Sequence, residues 1–248
     1  MKTTEDTVML ITGANGGLGV ALADDLLSRG RRNVAFHYRS SKDNISAVLE
    51  KYDLDPARHL FFAELTDEAD IDAMRVKIED TLGPVSVLVN LAGGSSNGMS
   101  WKLTREEFQR VMDMNMTSTF LCSKAFIPAM RSEGEGRIIN ITSVVGSMGA
   151  AGASHYGAAK AAVSGWTRSV ALELARNKVT VNAIALGYFD SGIIDHIPDT
   201  IREHIVQTIP LKRLGRSGAE LGGIVDYLVS SAGSYVTGQT LHINGGLH

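Results

Sequence analysis

Val8-Met9-Leu10-Ile11-Thr12-Gly13-Ala14-Asn15-Gly16-Gly17-Leu18-Gly19 is the stretch from which the fold can be read. An apolar run of strand length enters a glycine-rich turn and leaves it in residues 18–28, where apolar positions recur at helical spacing. Gly13 suits the tight turn, Gly17 lets backbone approach a phosphate, and Gly19 lets the helix pack closely. The helix N-terminus adds unpaired N–H groups and a positive dipole end, so Asn15, Gly17 and Leu18 join the candidate phosphate-binding residues. A plain strand-to-helix turn is the competing reading. The spacing differs from GxGxxG, and no Gly-Lys-Ser/Thr follows, which argues against a Walker loop.

Working outward, further strand-length apolar runs fall at 33–38, 59–65, 85–92, 137–143, 180–186 and 240–244, and helical periodicity fills 41–51, 67–81, 105–130, 158–176 and 219–231. The strands are apolar nearly throughout, as expected of a parallel sheet covered on both faces. The expectation is one doubly wound α/β domain of about seven strands over residues 1–248. No linker, charge block or repeat interrupts the alternation. The long irregular stretch is 187–216, with Ile193, Ile194, Ile197 and Ile201 around Asp190 and Asp195; it reads as a substrate lid or as a short amphipathic surface helix.

Composition narrows the function classes. The chain has 248 residues, 44% of them hydrophobic and 21% charged, so disorder and coiled coil are disfavoured. At this length a folded surface of about 11,000 Å² is expected, against about 38,000 Å² unfolded, and a single large core is feasible. A net charge of −3 lacks the basic excess of a nucleic-acid binder. Residues 1–7 are too short and acidic for a signal peptide, and no apolar stretch reaches membrane-spanning length, so a cytoplasmic protein with no membrane partner is expected. Cys122 is the single cysteine and reads as helix packing; no disulfide, zinc site or HExxH metal site is expected. Asn140-Ile141-Thr142 matches a glycosylation sequon but falls in a buried strand and is discounted.

In NAD-type sites a carboxylate ends the second strand and binds the ribose 2′-hydroxyl. Here that place reads His37-Tyr38-Arg39-Ser40-Ser41. Arg39 offers a fork suited to phosphate, with Ser40 and Ser41 as added donors, so NADP(H) is expected over NAD(H). The alternative is a solvated loop charge. The missing acid also weakens an S-adenosylmethionine methyltransferase reading.

Ligands of open α/β sheets sit beyond the carboxyl ends of the strands. Ser143 ends the 137–143 strand, and small residues lead from it to Tyr156-Gly157-Ala158-Ala159-Lys160. Helical spacing of four places Tyr156 and Lys160 on one face, where an ammonium favours the phenolate. A general acid working near neutrality needs the phenol lowered by about 3 units from its usual ~10. Tyr156 can then protonate a carbonyl oxygen that Ser143 also hydrogen-bonds, which is ketone reduction. Taken alone, the Tyr/Lys pair fits an ordinary amphipathic helix as well. His155 is read either as a substrate contact or as a surface residue.

With Thr12-Gly13-x-x-x-Gly17-x-Gly19, Asn90-x-Ala92-Gly93, Asn115, Ser143 and Tyr156-x-x-x-Lys160 in place, the chain resembles the short-chain dehydrogenase/reductases over nearly its whole length. The runs 209–216 and 235–246 are especially similar to 3-oxoacyl-thioester reductases of fatty acid biosynthesis. The resemblance implies a Rossmann-type domain and an oxidoreductase acting on a secondary alcohol or ketone. It makes Tyr156 the acid/base, lets Ser143 position the carbonyl, and has Lys160 hold the nicotinamide ribose. Asn115 would anchor a relay water; a polar residue satisfied within a long helix is the other reading. The resemblance further places Glu64, Leu65, Asn90, Ala92, Gly93 and Gly187 along the cofactor and implies a homotetramer. Leu91, Leu186, Glu64 and Asn244 depart from the family pattern, where Asn, Pro, Asp and Asp are usual. Segment 128–135, often basic in carrier-protein reductases, carries Glu133 and Glu135 against Arg131, which leaves acyl carrier protein, CoA thioesters, cyclic ketones and other secondary alcohols open. A catalytically silent NADP(H)-binding regulator is the remaining alternative.

Overall fold

The computed structural model describes residues 7–192, 194 and 197–248. Seven strands, β1 (Val8–Ile11), β2 (Val34–Tyr38), β3 (Leu60–Phe62), β4 (Val85–Asn90), β5 (Gly136–Ser143), β6 (Val179–Leu186) and β7 (Thr240–Ile243), form one parallel sheet in the order β3-β2-β1-β4-β5-β6-β7. Helices α1 (Gly17–Ser28), α2 (Asp43–Lys51), α3 (Pro56–His59), α4 (Glu68–Leu82), α5 (Arg105–Met112), α6 (Ser118–Glu133), α7 (Val145–Met148), α8 (Ser154–Leu174), α9 (Asp199–Thr208) and α10 (Ala219–Val229) connect them. This is the Rossmann-type doubly wound α/β architecture expected.

Strand alternation explains why the runs are apolar throughout. Met9, Ile11, Val34 and Phe36 point to one face and meet Leu22 and Leu26 of α1, Leu49 of α2 and Val225 of α10. Their neighbours Val8, Leu10 and Ala35 point to the other and meet Met74 of α4, Phe126 of α6 and Val170 of α8. With two covered faces, neither set of alternate positions can be polar. Each fully buried large side chain contributes about 1.5–3 kcal/mol. The exposed surface is 11666 Å², close to the area expected of a single closed core of this length. Cys122 is wholly buried in the second core, and burial pushes its thiol up to about 12.

Chain order reverses at β1. The connections run outward through β2 and β3, then return to place β4 on the other side of β1. The carboxyl ends of β1 and β4 therefore diverge into a crevice. One hydroxyl bridges it: Thr12 Oγ1 accepts from the backbone N–H of Leu91 and of Ala92, each at 3.0 Å.

Several elements differ from the expectation. The periodic stretch 105–130 is not one helix: α5 and α6 are joined by a π-helical turn, Asp113–Thr117. A π turn keeps the chain helical while inserting one residue, so apolar periodicity does not reveal it. α8 begins at Ser154, ahead of the periodic stretch 158–176, and carries Tyr156 and Lys160 together as their helical spacing requires. Residues 56–59 form the short α3, capped by Asp55, which shortens the third strand to three residues. Within 187–216, α9 occupies Asp199–Thr208, yet none of its residues is buried. The excursion is closed at its base, where Asp190 N donates to Gly215 O at 2.9 Å, Gly215 N donates to Tyr188 O at 2.9 Å, and Ser217 donates through N and Oγ to Asp190 Oδ1 at 2.9 and 2.6 Å. The acidic start of the chain, residues 1–6, and Ile193 and Asp195 lie outside the described residues. Among the described residues no helix is long and apolar enough to cross a membrane, and no group of three or more His, Cys, Asp and Glu is placed to hold a metal.

A buried polar chain ties the central strands to two helices. Asn90 Nδ2 donates to Asn140 Oδ1 at 2.9 Å and to Ser123 Oγ at 3.0 Å, and Asn140 Nδ2 donates to Thr167 Oγ1 at 2.9 Å. Asn140→Leu leaves a buried amide proton of Asn90 without an acceptor, at a cost of about 2 kcal/mol. Urea unfolding should show a lower midpoint at unchanged slope; an unchanged midpoint would mean the network contributes nothing.

Candidate active site

The glycine turn sits in the crevice. Gly13 has φ +68°, and a Cβ there would lie 2.8 Å from Ala92 Cα. At Gly19 a Cβ would fall 2.6 Å from both Ala14 Cα and Gly13 O, so Gly19 packs against the turn itself and lets α1 start immediately after it. No side chain caps the first turn of α1, whose cap residue is Gly16, and both Gly16 and Gly17 are exposed. This backbone suits the pyrophosphate of a dinucleotide.

A cavity of about 300 Å³ continues from the turn. Gly13, Asn15, Arg39, Ser40, Glu64, Leu65, Ala92 and Gly93 of the expected cofactor set line it, and His37, Thr66 and Met114 join them. Asn15 Oδ1 also accepts from Ile45 N at 3.0 Å, anchoring α2 beside the cavity. Arg39 is exposed. Glu64 Oε1 is held by Thr66, through N at 3.2 Å and Oγ1 at 2.9 Å. Seven expected residues do not line the cavity: Gly17, exposed at the first turn of α1, Tyr156 and Lys160, which meet at the end of β5, and four more. Asn90 is buried in the polar chain above, and Gly19 is buried beneath the turn. Leu18 packs against Gly192 of the excursion, and Gly187 lies against Asn244, where a Cβ would come within 2.7 Å of the Asn244 backbone.

At the carboxyl end of β5, Ser143, Tyr156 and Lys160 converge. The Ser143 hydroxyl accepts from Val145 N at 3.2 Å and reaches the Tyr156 phenol. Lys160 Nζ lies 5.7 Å from the centroid of the Tyr156 ring and donates to Ile141 O at 2.9 Å. The π turn brings Asn115 to the same place. Asn115 Nδ2 donates to Gly94 O at 2.7 Å and to Val111 O at 2.8 Å, while Asn115 Oδ1 accepts from Gly94 N at 3.3 Å. A Cβ on Gly93 would sit 2.5 Å from Asn115 Oδ1 and 3.3 Å from Lys160 Nζ, which shows how closely these groups gather.

The electrostatics correct one expectation. Burial pushes the Tyr156 phenol above its ordinary value, outweighing the hydrogen bond from Ser143, which acts to lower it. Burial also pushes Lys160 down to about 8. In the protein alone, burial drives each group toward its neutral form. His155 is neither a surface residue nor free to meet substrate: it is fully buried, with Nε2 3.1 Å from Ser96 Oγ. Thr12, which heads the glycine motif, and His37, which opens the run ending at Ser41, are structural contributors to which the sequence reading gives no role of their own. A hydroxyl at a strand end and a histidine within an apolar strand carry no periodic signature, although both stand beside the glycine turn.

The family of enoyl-(acyl carrier protein) reductases matches residues 13–248. Nodulation protein G of Azospirillum brasilense is 40% identical over 241 residues, covering 97% of this chain and 98% of that protein. The 3-oxoacyl-(acyl-carrier-protein) reductase FabG of Staphylococcus aureus is 36% identical over 249 residues, the full length of both, and that of Vibrio cholerae 36% over 244 residues, 98% of each.

Lys160 generates a signed test. A lysine with a depressed folded value is destabilising while charged, so the penalty is fully present below about pH 8 and fades as pH rises toward the unfolded value near 10.5. The unfolding free energy of the native chain, measured relative to Lys160→Met, should therefore rise between pH 8 and 10.5. A flat difference would show that the amine is not confined as described.

Proposed function

Because the chain belongs to the short-chain dehydrogenase/reductase family, whose members here are oxidoreductases acting on CH–OH groups, we propose that it reduces the ketone of a 3-oxoacyl thioester to a secondary alcohol with NADPH. The supporting observation is the meeting of Ser143, Tyr156 and Lys160 at the carboxyl end of β5, beside Gly93 and Asn115. A bound nicotinamide dinucleotide supplies the hydride that reaches the carbonyl carbon.

The chain's own residues handle the oxygen. Ser143 donates a hydrogen bond to the carbonyl oxygen, and Tyr156 passes its phenolic proton to that oxygen as negative charge develops there. Lys160, held by Ile141 O, places its amine beside the ring and stabilises the phenolate left behind. The lysine's readiness to lose a proton suits it to recharging the phenol, and Asn115, buried in the π turn close to Gly93 and Lys160, would anchor a relay water. Glu133 and Glu135 beside Arg131 make the end of α6 a poor basic dock, so the proposal names the thioester and no particular carrier. For the cofactor, Arg39 and Ser40 border the cavity and would meet a 2′-phosphate, while Glu64 is occupied by Thr66.

Tyr156→Phe should lower kcat by about 10²–10⁴ in an NADPH-consumption assay over acyl thioesters and cyclic ketones, with dinucleotide binding retained. Turnover near the native rate would refute the assignment. Arg39→Ala should weaken NADPH by about tenfold or more and leave NADH affinity unchanged, since one charge-assisted phosphate bond is removed. Equal losses for the two coenzymes would remove the NADPH preference.

A further inference from the structure

His37 lies in β2, fully within the apolar strand, with 2% of its surface exposed. Its ring bridges the glycine turn and the end of β3. Nδ1 is 3.0 Å from the backbone nitrogen of Gly13, and Nε2 is 3.0 Å from Ala63 O, beyond the end of β3. The backbone carbonyl of the same residue accepts from Ala14 N at 2.9 Å. Two successive amides of the glycine turn are thus fastened to one residue.

The chemistry of these partners fixes the proton. A backbone N–H only donates, so Nδ1 must be the bare, accepting nitrogen; a carbonyl only accepts, so Nε2 must carry the hydrogen. The ring is neutral and a single tautomer. Protonation at Nδ1 would set N–H against N–H at Gly13, whose φ is +68° and where even an added Cβ would lie 2.8 Å from Ala92 Cα. We propose that His37 is a positioning residue for the coenzyme: its bare Nδ1 holds the glycine turn in the form that cradles the pyrophosphate, and a proton taken up there releases the turn. The proposal rests on the dinucleotide reading above.

The surroundings keep the ring neutral through the working range. Burial pushes its pKa below the usual imidazole range, outweighing the Ala63 carbonyl and Glu64, which act to raise it; Arg39 adds to the lowering. Those two charges, one after β3 and one at the end of β2, are the charged groups acting on it, and the turn itself contributes none. Coenzyme affinity attributable to His37 is therefore complete above about pH 6.5 and is lost as pH falls through the depressed value.

The test compares the native chain with His37→Asn, whose Oδ1 can still accept from Gly13 but cannot be protonated in this range. NADPH and NADH dissociation constants are measured by nicotinamide fluorescence from pH 8 to pH 5. At pH 8 the two proteins should agree within about threefold. Toward pH 5 the native chain should weaken relative to His37→Asn, by up to tenfold for each pH unit below the His37 pKa. Taking the ratio of the two proteins cancels titration of the coenzyme's own phosphate. His37→Leu, lacking any acceptor, should bind about tenfold or more weakly at every pH. Long-range proton–nitrogen NMR of the ligand-free protein should find the hydrogen on Nε2. Binding at pH 8 with parallel profiles for the native and Asn proteins, or a hydrogen on Nδ1 at neutral pH, overturns the role of His37 while leaving the dinucleotide reading intact. Absence of binding to the native chain at pH 8 overturns both.

Discussion

Two amides from the end of β4 converge on the hydroxyl of Thr12, and the site depends on that convergence. Strands that part at the reversal of chain order create a crevice only if their ends stay at a defined separation. The Thr12 hydroxyl sets it, holding the glycine turn after β1 beside Leu91 and Ala92. The glycine turn and the cavity that continues from it lie beside that clamp. The clamp sits at the seam between the two halves of the sheet, so packing on both faces supports it and no loop has to be ordered for it to exist.

The carboxyl end of β5 is built differently. There the sheet contributes Ser143, a separate helix contributes Tyr156 and Lys160, and the π turn contributes Asn115. Burial places opposite demands on the phenol and the amine, since each resists its charged form. Such a pair stores an unfavourable electrostatic state that a stably folded core would otherwise avoid. Arrangements of this kind occur where chemistry, not packing, sets the requirement.

The fold and the meeting of Tyr156 with Lys160 were legible because they rest on periodicity and spacing. Alternation of strand and helix patterns announced the sheet, and four-residue spacing placed Tyr156 and Lys160 together. What escaped notice has no such signature. The π turn around Asn115 preserves helical hydrophobicity while adding a residue, so 105–130 reads as unbroken. Asn90 stands beside residues that do border the cavity, yet strand alternation turns its side chain into the core. His155 looks like a surface or substrate residue from its neighbours, and only the packing of the loop carrying Ser96 encloses it. His37 reads as one more member of an apolar strand, since its partners come from segments 24 and 26 residues away. Burial also reversed the direction expected for Tyr156, because spacing reports who is adjacent and not how much water they share.

The buried thiol has a practical corollary. With its ionisation pushed up to about 12, Cys122 offers roughly one thiolate in ten thousand at pH 8, inside a packed helix face. Alkylating reagents and mild oxidants should pass it by, so the native chain behaves as though it had no cysteine. A single cysteine introduced on α9 would then carry a fluorophore or spin label without background, giving a direct view of the segment that arches between Asp190 and Gly215.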